Sequence, residues 1–171
     1  MKGFIPVEIY TKEYIKAYIH ARYGPKPVMT KDHGLGSKLY DVLQHSTNED
    51  RLDVDFRFYT TTVKVYIPIH VFKQRGARLN ETNIRNFNLF AEKEIKSQFN
   101  FLMDTYIAIF PSFEGNLATV RKQLGVDEEA WPDDSLKKQY YRYRKANGKA
   151  LLKPRRSTVS VPCVKIANLA F

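Results

Sequence analysis

The sequence predicts an α+β protein in which a small antiparallel sheet with helices precedes a helical C-terminal part. Residues 52–59 and 63–70 each alternate apolar and polar side chains with the period of two that is typical of a strand. Between residues 84 and 109, apolar side chains recur every three or four positions, which indicates a long amphipathic helix. These patterns predict a lobe over residues 1–79 and a central helix over 80–111, with a second lobe after it.

The composition is that of a folded, basic chain. Its 171 residues include 28 Lys and Arg against 18 Asp and Glu, which gives a formal net charge of +10. An aromatic content of 13% excludes a mostly disordered chain. Because Cys163 is the single cysteine, no internal disulfide scaffold can form. The charge favours a polyanionic partner, which can be DNA, RNA or an acidic membrane surface.

Neither a secretion signal nor a membrane span is predicted. The first 14 residues contain no uninterrupted apolar run. The longest apolar segment, residues 99–110, is interrupted by Asn100 and Asp104 and is shorter than the roughly 20 residues that span a bilayer. We therefore expect a soluble protein without a membrane partner.

The N-terminal lobe should begin with a strand and a helix. Residues 4–10 read as a short strand, and Pro6 favours a sheet edge because it has no amide hydrogen to donate. Thr11 is the predicted N-cap of a helix that ends at Gly24, and a weaker helix is expected over residues 37–44.

The two alternating segments should form an antiparallel hairpin. A short threonine connection joins residues 52–59 to residues 63–70, and Pro68 suggests an edge or the end of a strand. Asn80 is a plausible N-cap for the long helix, which should end before Pro111. At 1.5 Å per residue that helix is about 40 Å long, so it either links two lobes or packs in an oligomer, or it is a simple central core helix.

Two shorter helices are expected in the C-terminal lobe, residues 112–148. The first, residues 114–124, should close at Gly125, which suits a left-handed cap. Asp133 or Asp134 should cap the second, residues 135–146. The remaining arm, residues 149–171, is basic and then apolar, and it either returns to the sheet or lies on a neighbouring subunit.

Positive charge is concentrated in the C-terminal part. Residues 111–171 hold 12 basic and 6 acidic side chains, and the stretch from Leu136 to Arg156 holds nine basic residues and no acidic one. On the last helix, Leu136, Tyr140 and Tyr143 form a stripe that can dock on the preceding helix. The remaining faces should be exposed, with one row of Lys137, Tyr141 and Arg144 and a second row of Lys138, Arg142 and Lys145.

Two short helices joined by a turn with glycine, the second strongly basic, resemble a helix-turn-helix. The run from Leu124-Gly125-Val126 through Trp131-Pro132 to Tyr140-Tyr141-Arg142-Tyr143-Arg144 looks like DNA-binding accessory proteins of phages and mobile elements over residues 113–148. Arg121 stands where the compact motif has a small residue, and the connection is longer than usual. The DNA-binding side chains are then expected to be Lys137, Lys138, Tyr141, Arg142, Arg144, Lys145, Lys149, Arg155 and Arg156.

The resemblance implies a non-enzymatic DNA-binding protein without a cofactor, acting in a bacterial cytoplasm as a regulator or as a replication or packaging accessory. Double-stranded DNA is preferred to RNA because the signal is a basic helix and no RNA-module fingerprint is present. The alternative is a structural or assembly protein of a phage particle, whose basic segment neutralises nucleic acid or an acidic partner and whose long helix or arm forms a homo-oligomer. A solvated basic helix without a ligand is a further alternative, but nucleic-acid contact is favoured because the positive run continues without an acidic residue through Lys153, Arg155 and Arg156.

Other candidate sites have weaker patterns. The four histidines (His20, His33, His45 and His70) are too widely spaced for a metal or catalytic motif. The segment His33-Gly34-Leu35-Gly36 lacks the third glycine of a phosphate loop and is expected to be a flexible loop. Asp53 and Asp55 lie two apart on a predicted strand, where a solvent face is a better interpretation than a metal site.

Overall fold

A computed structural model describes residues 3–45 and 58–149, and it confirms the α+β class. Within these residues the chain forms two strands and six helices, with an antiparallel sheet of two strands. In chain order the elements are β1 (Phe4–Thr11), α1 (Glu13–Tyr23), α2 (Gly34–Val42), β2 (Thr61–Pro68), α3 (Ile69–Arg75), α4 (Glu81–Ile109), α5 (Phe113–Leu124) and α6 (Asp133–Ala146).

The sheet pairs β1 with β2, and its register runs from Phe4 opposite Pro68 to Thr11 opposite Thr61. Alternate side chains of both strands are buried, so one face of the sheet packs on the helices. The predicted hairpin between residues 52–59 and β2 falls largely on residues outside the described part. Of that segment the structure describes Phe58 and Tyr59, and neither lies in a strand.

Backbone bonds explain why Pro6 is tolerated within β1. Tyr66 donates its amide hydrogen to the carbonyl of Pro27 and accepts a hydrogen bond from the amide of Met29, so its backbone groups point away from β1. Pro6 is the register partner of Tyr66, and in an antiparallel pair its nitrogen therefore also points away from the partner strand. The missing amide hydrogen of Pro6 therefore removes no hydrogen bond between β1 and β2, which agrees with the predicted position at a sheet edge.

Several predicted boundaries are wrong. Thr11 is the last residue of β1 and not a cap: its buried hydroxyl donates to Asn88 Oδ1 over 2.6 Å. The segment 33–36, expected to be a flexible loop, begins α2, and Gly36 there lies so close to the Thr30 carbonyl that a Cβ would be 1.9 Å from the oxygen. Ile69 and His70 belong to α3 because the strand ends at Pro68, the strand end that the proline suggested.

The long helix is confirmed. Helix α4 spans 29 residues, and the side chain of Asn80 accepts a hydrogen bond from the amide of Asn83, as a capping residue should. It packs against α1, α2 and β1 and also against α5. Its buried side chains belong to the same hydrophobic core as those of the sheet and of α5 and α6, so α4 is a central core helix among the described residues.

The last two helices fold back onto the N-terminal part. Gly125 ends α5 in the left-handed conformation that was predicted, and a Cβ there would lie 2.0 Å from the Cβ of Ala21 on α1. The ring of Trp131 stacks on Tyr14 with 4.8 Å between centroids. Pro132 occupies the N-cap position of α6, so the predicted capping by Asp133 or Asp134 is wrong, and Asn147 and Gly148 end the helix as expected.

Candidate nucleic-acid interface

Helix α6 is held in place by its apolar stripe. Leu136 and Tyr140 are buried, and the ring of Tyr140 packs near those of Phe99 on α4 and Phe113 on α5. This confirms that Leu136 and Tyr140 dock inward. Tyr143 is half-buried and stacks on Tyr140 with 6.1 Å between ring centroids. The stripe fixes which faces of α6 are left for a ligand.

The carboxylate of Asp104, on α4, is the polar anchor of α6. It accepts hydrogen bonds from the hydroxyls of Tyr140 (2.7 Å) and Tyr143 (2.9 Å) and from Nζ of Lys149 (2.6 Å). Arg144 lies 3.9 Å from the same carboxylate. Partial burial raises the pKa of Asp104, but the hydrogen bonds from Lys149 and the two tyrosines outweigh it and hold that pKa below its usual value.

Burial and the bond to Asp104 raise the pKa of Tyr140 to about 12, so its hydroxyl is a proton donor at neutral pH. Its oxygen also accepts a hydrogen bond from Arg144 over 3.2 Å. Two cations and two phenols therefore converge on one carboxylate. The arrangement fixes the C-terminal half of α6 and the point where the chain leaves it.

This anchor changes the predicted roles of two cations. The row of Lys137, Tyr141 and Arg144 was expected to be exposed, which is wrong for Arg144, because its side chain is 13% exposed and turned toward Asp104. Lys149 is exposed but bonded to the same carboxylate. Lys137 forms an ion pair with Glu114 over 2.6 Å, and Tyr141 is half-buried beside Phe113.

The second predicted row is present as expected. Lys138, Arg142 and Lys145 are exposed on α6 at positions i, i+4 and i+7, so they share one face of the helix. Their side chains form no hydrogen bond or ion pair with any other residue in ranges 3–45 and 58–149. We call these three residues the basic row. The predicted contacts Arg155 and Arg156 lie outside the described residues.

The start of α6 is acidic. Asp133 and Asp134 occupy its first turn, and Asp127, Glu128 and Glu129 are exposed in the connection before it. In a helix-turn-helix the first residues of the recognition helix contact base edges. Carboxylates at that end of α6 repel phosphates, so the favourable surface for a polyanion is the C-terminal half of the helix.

Arg121 closes the connection between α5 and α6. Its guanidinium donates to the carbonyl of Asp127 over 2.6 Å, to the carbonyl of Trp131 and to the carboxylate of Asp133. In the sequence, Arg121 is a departure from the helix-turn-helix motif and Asp104 is an interruption of an apolar run. The available signal for Asp104 was one charged residue within a run of apolar residues, but the sequence did not identify the side chains that bind it.

Comparisons with protein-family models, with curated proteins and with solved structures find no match to the chain. Within residues 3–45 and 58–149, no helix is long and apolar enough to cross a bilayer. The same residues contain no group of three or more His, Cys, Asp or Glu side chains that could hold a metal ion.

Proposed function

We propose that this chain is a non-enzymatic DNA-binding protein that holds duplex DNA through the basic row of α6. The observation that supports the proposal is the row itself: Lys138, Arg142 and Lys145 share one exposed face and have no acidic partner among the described residues. The resemblance of residues 113–148 to DNA-binding accessory proteins suggests a regulator or a replication or packaging accessory of a phage or mobile element.

Phosphate contact is a better expectation for this surface than base reading. Lysines hold phosphates as point charges, whereas specific base contacts are made most often by bidentate arginines. Of the two arginines on α6, Arg144 is turned toward Asp104, which leaves Arg142 in the basic row. Binding should therefore be strongly dependent on salt and weakly dependent on sequence.

The test compares two variants that each lose three positive charges. The first replaces Lys138, Arg142 and Lys145 with Gln, and the matched control replaces Lys31, Lys73 and Arg75, which are exposed at other places in the fold. Fluorescence anisotropy with a labelled duplex is measured over a range of salt concentrations. We expect the first variant to bind more weakly and its salt slope to fall by about 3, while the control stays close to the wild type.

If neither variant binds duplex DNA more weakly than the wild type, and circular dichroism shows that both are folded, the basic row has no role in binding. A reduction in the control as large as in the first variant would mean that total charge, and not this surface, governs binding.

The second candidate is a structural or assembly protein, and one observation favours it. At the C-terminal end of α4, Ile109 is 78% exposed and the following Phe110 is 49% exposed, so two neighbouring apolar side chains form a surface on which a second copy of the chain can pack. Sedimentation of wild type and Ile109→Asp tests this alternative. A large assembly that the substitution dissolves would favour it, and a monomer in both samples would count against it.

A further inference from the structure

A groove of about 950 Å³ runs along the exposed side of α4 toward α6. It extends from Leu89 to Thr105 on α4, which is about 24 Å at 1.5 Å per residue, and Tyr143 and Lys149 line the end beside α6. Because Lys149 follows Lys145 by only four residues, the groove begins close to the basic row. Its lining therefore decides whether a ligand held by α6 has a second surface to contact.

Three lysines and one exposed ring characterise this groove. Lys93, Lys96 and Lys149 line it, and Phe101 is 69% exposed between them along the helix. Lys93 is exposed and makes no ion pair with any other described residue. An exposed phenyl ring and lysines in one groove give it both an apolar face and positive charge.

The acidic side chains of the groove are neutralised from within the protein. Glu92 forms ion pairs with Lys12 and with Lys96, the latter over 3.2 Å. Asp104 is bonded to Lys149 and lies beside Arg144. Burial raises the pKa of Glu92, but its bonds to the two lysines outweigh this and hold that pKa below its usual value. Both carboxylates therefore have partners, and Lys96 and Lys149 are engaged by them, so Lys93 is the lysine of the groove without an acidic partner among the described residues. Together with Lys12 and Arg144, the cations still outnumber the two carboxylates that line the groove, so its surface carries a net positive charge.

We infer that this groove binds a single strand of nucleic acid, with Lys93 on a phosphate and Phe101 as a platform on which a base stacks. Surfaces for single-stranded nucleic acid combine a positively charged groove with exposed aromatic rings in this way. A protein partner fits the groove less well, because lysine is depleted in the buried centres of protein interfaces. The inference rests on the proposed function and adds a second surface to it, for a strand that leaves the duplex.

The test measures binding of a labelled oligothymidine of about 15 nucleotides and of a duplex to the full chain, in wild type and in Phe101→Ala. The matched control is Phe72→Ala, which removes another exposed ring, on α3 and away from the groove. Since stacking one base on an aromatic ring contributes about 1–3 kcal/mol, Phe101→Ala should weaken binding of the oligothymidine roughly 5- to 150-fold. The control should bind it like the wild type, and neither variant should change duplex binding.

Phe101→Trp provides a second readout that does not depend on loss of binding. It should retain affinity for oligothymidine and show quenching of its new indole fluorescence when the oligonucleotide binds, because a stacked base contacts the ring. An unquenched indole in a variant that still binds would overturn the stacking role.

The outcomes separate this inference from the proposed function. Unchanged oligothymidine binding by Phe101→Ala overturns the inference, even if the basic row is needed for duplex binding. If both charge variants bind duplex DNA as the wild type does, the proposed function is refuted, whatever the effect of Phe101→Ala. If light scattering shows that Phe101→Ala dissociates an oligomer while oligothymidine binding stays the same, the groove is a protein interface and the inference is wrong.

Discussion

Asp104 decides which cations of the basic segment remain available to a ligand. It holds Arg144 and Lys149 at the base of α6, while the basic row has no such partner among the described residues. Charge counted along the sequence treats all nine cations of residues 136–156 as equivalent. Among those that the structure describes, the carboxylate of Asp104 engages Arg144 and Lys149, whereas the basic row has no acidic partner.

Replacing Asp104 with Asn should destabilise the protein at neutral pH by about 1–3 kcal/mol, because charge-assisted hydrogen bonds from Lys149 and two tyrosines are weakened. The pKa of Asp104 is lower in the folded state than its ordinary value. The charge therefore stabilises the fold above the unfolded pKa of about 3.9, and this contribution disappears as the pH falls through the folded-state pKa. Urea unfolding of both proteins at a series of pH values measures the difference.

The difference in the free energy of unfolding between wild type and Asp104→Asn should shrink as the pH falls from 7 to about 3. Other carboxylates titrate in both proteins, so they cancel in this difference. Glu114→Gln, which breaks the exposed pair with Lys137, is the control and should cost less than about 1 kcal/mol. A difference for Asp104→Asn that is constant with pH would contradict the role assigned to its charge.

At the scale of elements, the junction between α5 and α6 sets the position of the basic row. Gly125 ends α5 with a φ of 66° and lies against Ala21 of α1, while Arg121 ties the connection to the start of α6. These contacts turn α6 so that its tyrosines reach Asp104. The length of the connection, which departs from a compact helix-turn-helix, is accommodated by the carbonyl groups that Arg121 binds.

Gly125→Ala should cost about 2–4 kcal/mol, because the left-handed conformation disfavours a side chain and the new Cβ would overlap that of Ala21. Removing the obstacle with Ala21→Gly should restore part of this loss, since only the backbone strain then remains. A double-mutant cycle by urea denaturation measures the coupling. If the two substitutions have additive effects on the free energy of unfolding, the overlap between residue 125 and Ala21 makes no contribution, and α5 moves away from α1 without a loss of stability.

For the whole molecule, the long helix links the predicted lobes through one core. Side chains of the sheet, of α4 and of α5 and α6 belong to one buried cluster, and Trp131 stacks on Tyr14 across the predicted boundary. Lobes that share a core in this way should unfold together.

We therefore expect a single unfolding transition. Circular dichroism at the helix band reports on all helices, whereas the fluorescence of Trp131, the one tryptophan, reports on the contact between α1 and the C-terminal helices. The two midpoints in urea should coincide. Fluorescence that changes at a clearly lower urea concentration would indicate that the C-terminal helices separate before the rest unfolds.

Local patterns were sufficient for most of the elements. The three-to-four spacing and the Asn80 cap predicted α4 closely, and Gly125 predicted the end of α5, because these signals act within one turn of the chain. They failed where a distant contact decides the conformation. Thr11 has the chemistry of a cap but bonds to Asn88, 77 positions away.

By itself, the sequence determined the fold class, the long helix, the inward stripe of α6 and the concentration of positive charge near the C-terminus. Only the tertiary structure decided which of the described cations are paired, since Asp104 is 40 positions from Arg144 and 45 from Lys149 and meets them because α6 folds back onto α4. Periodicity defines the face of a helix on which a side chain lies. It does not define what a neighbouring helix presents to that face, and the availability of the charges depends on that pairing.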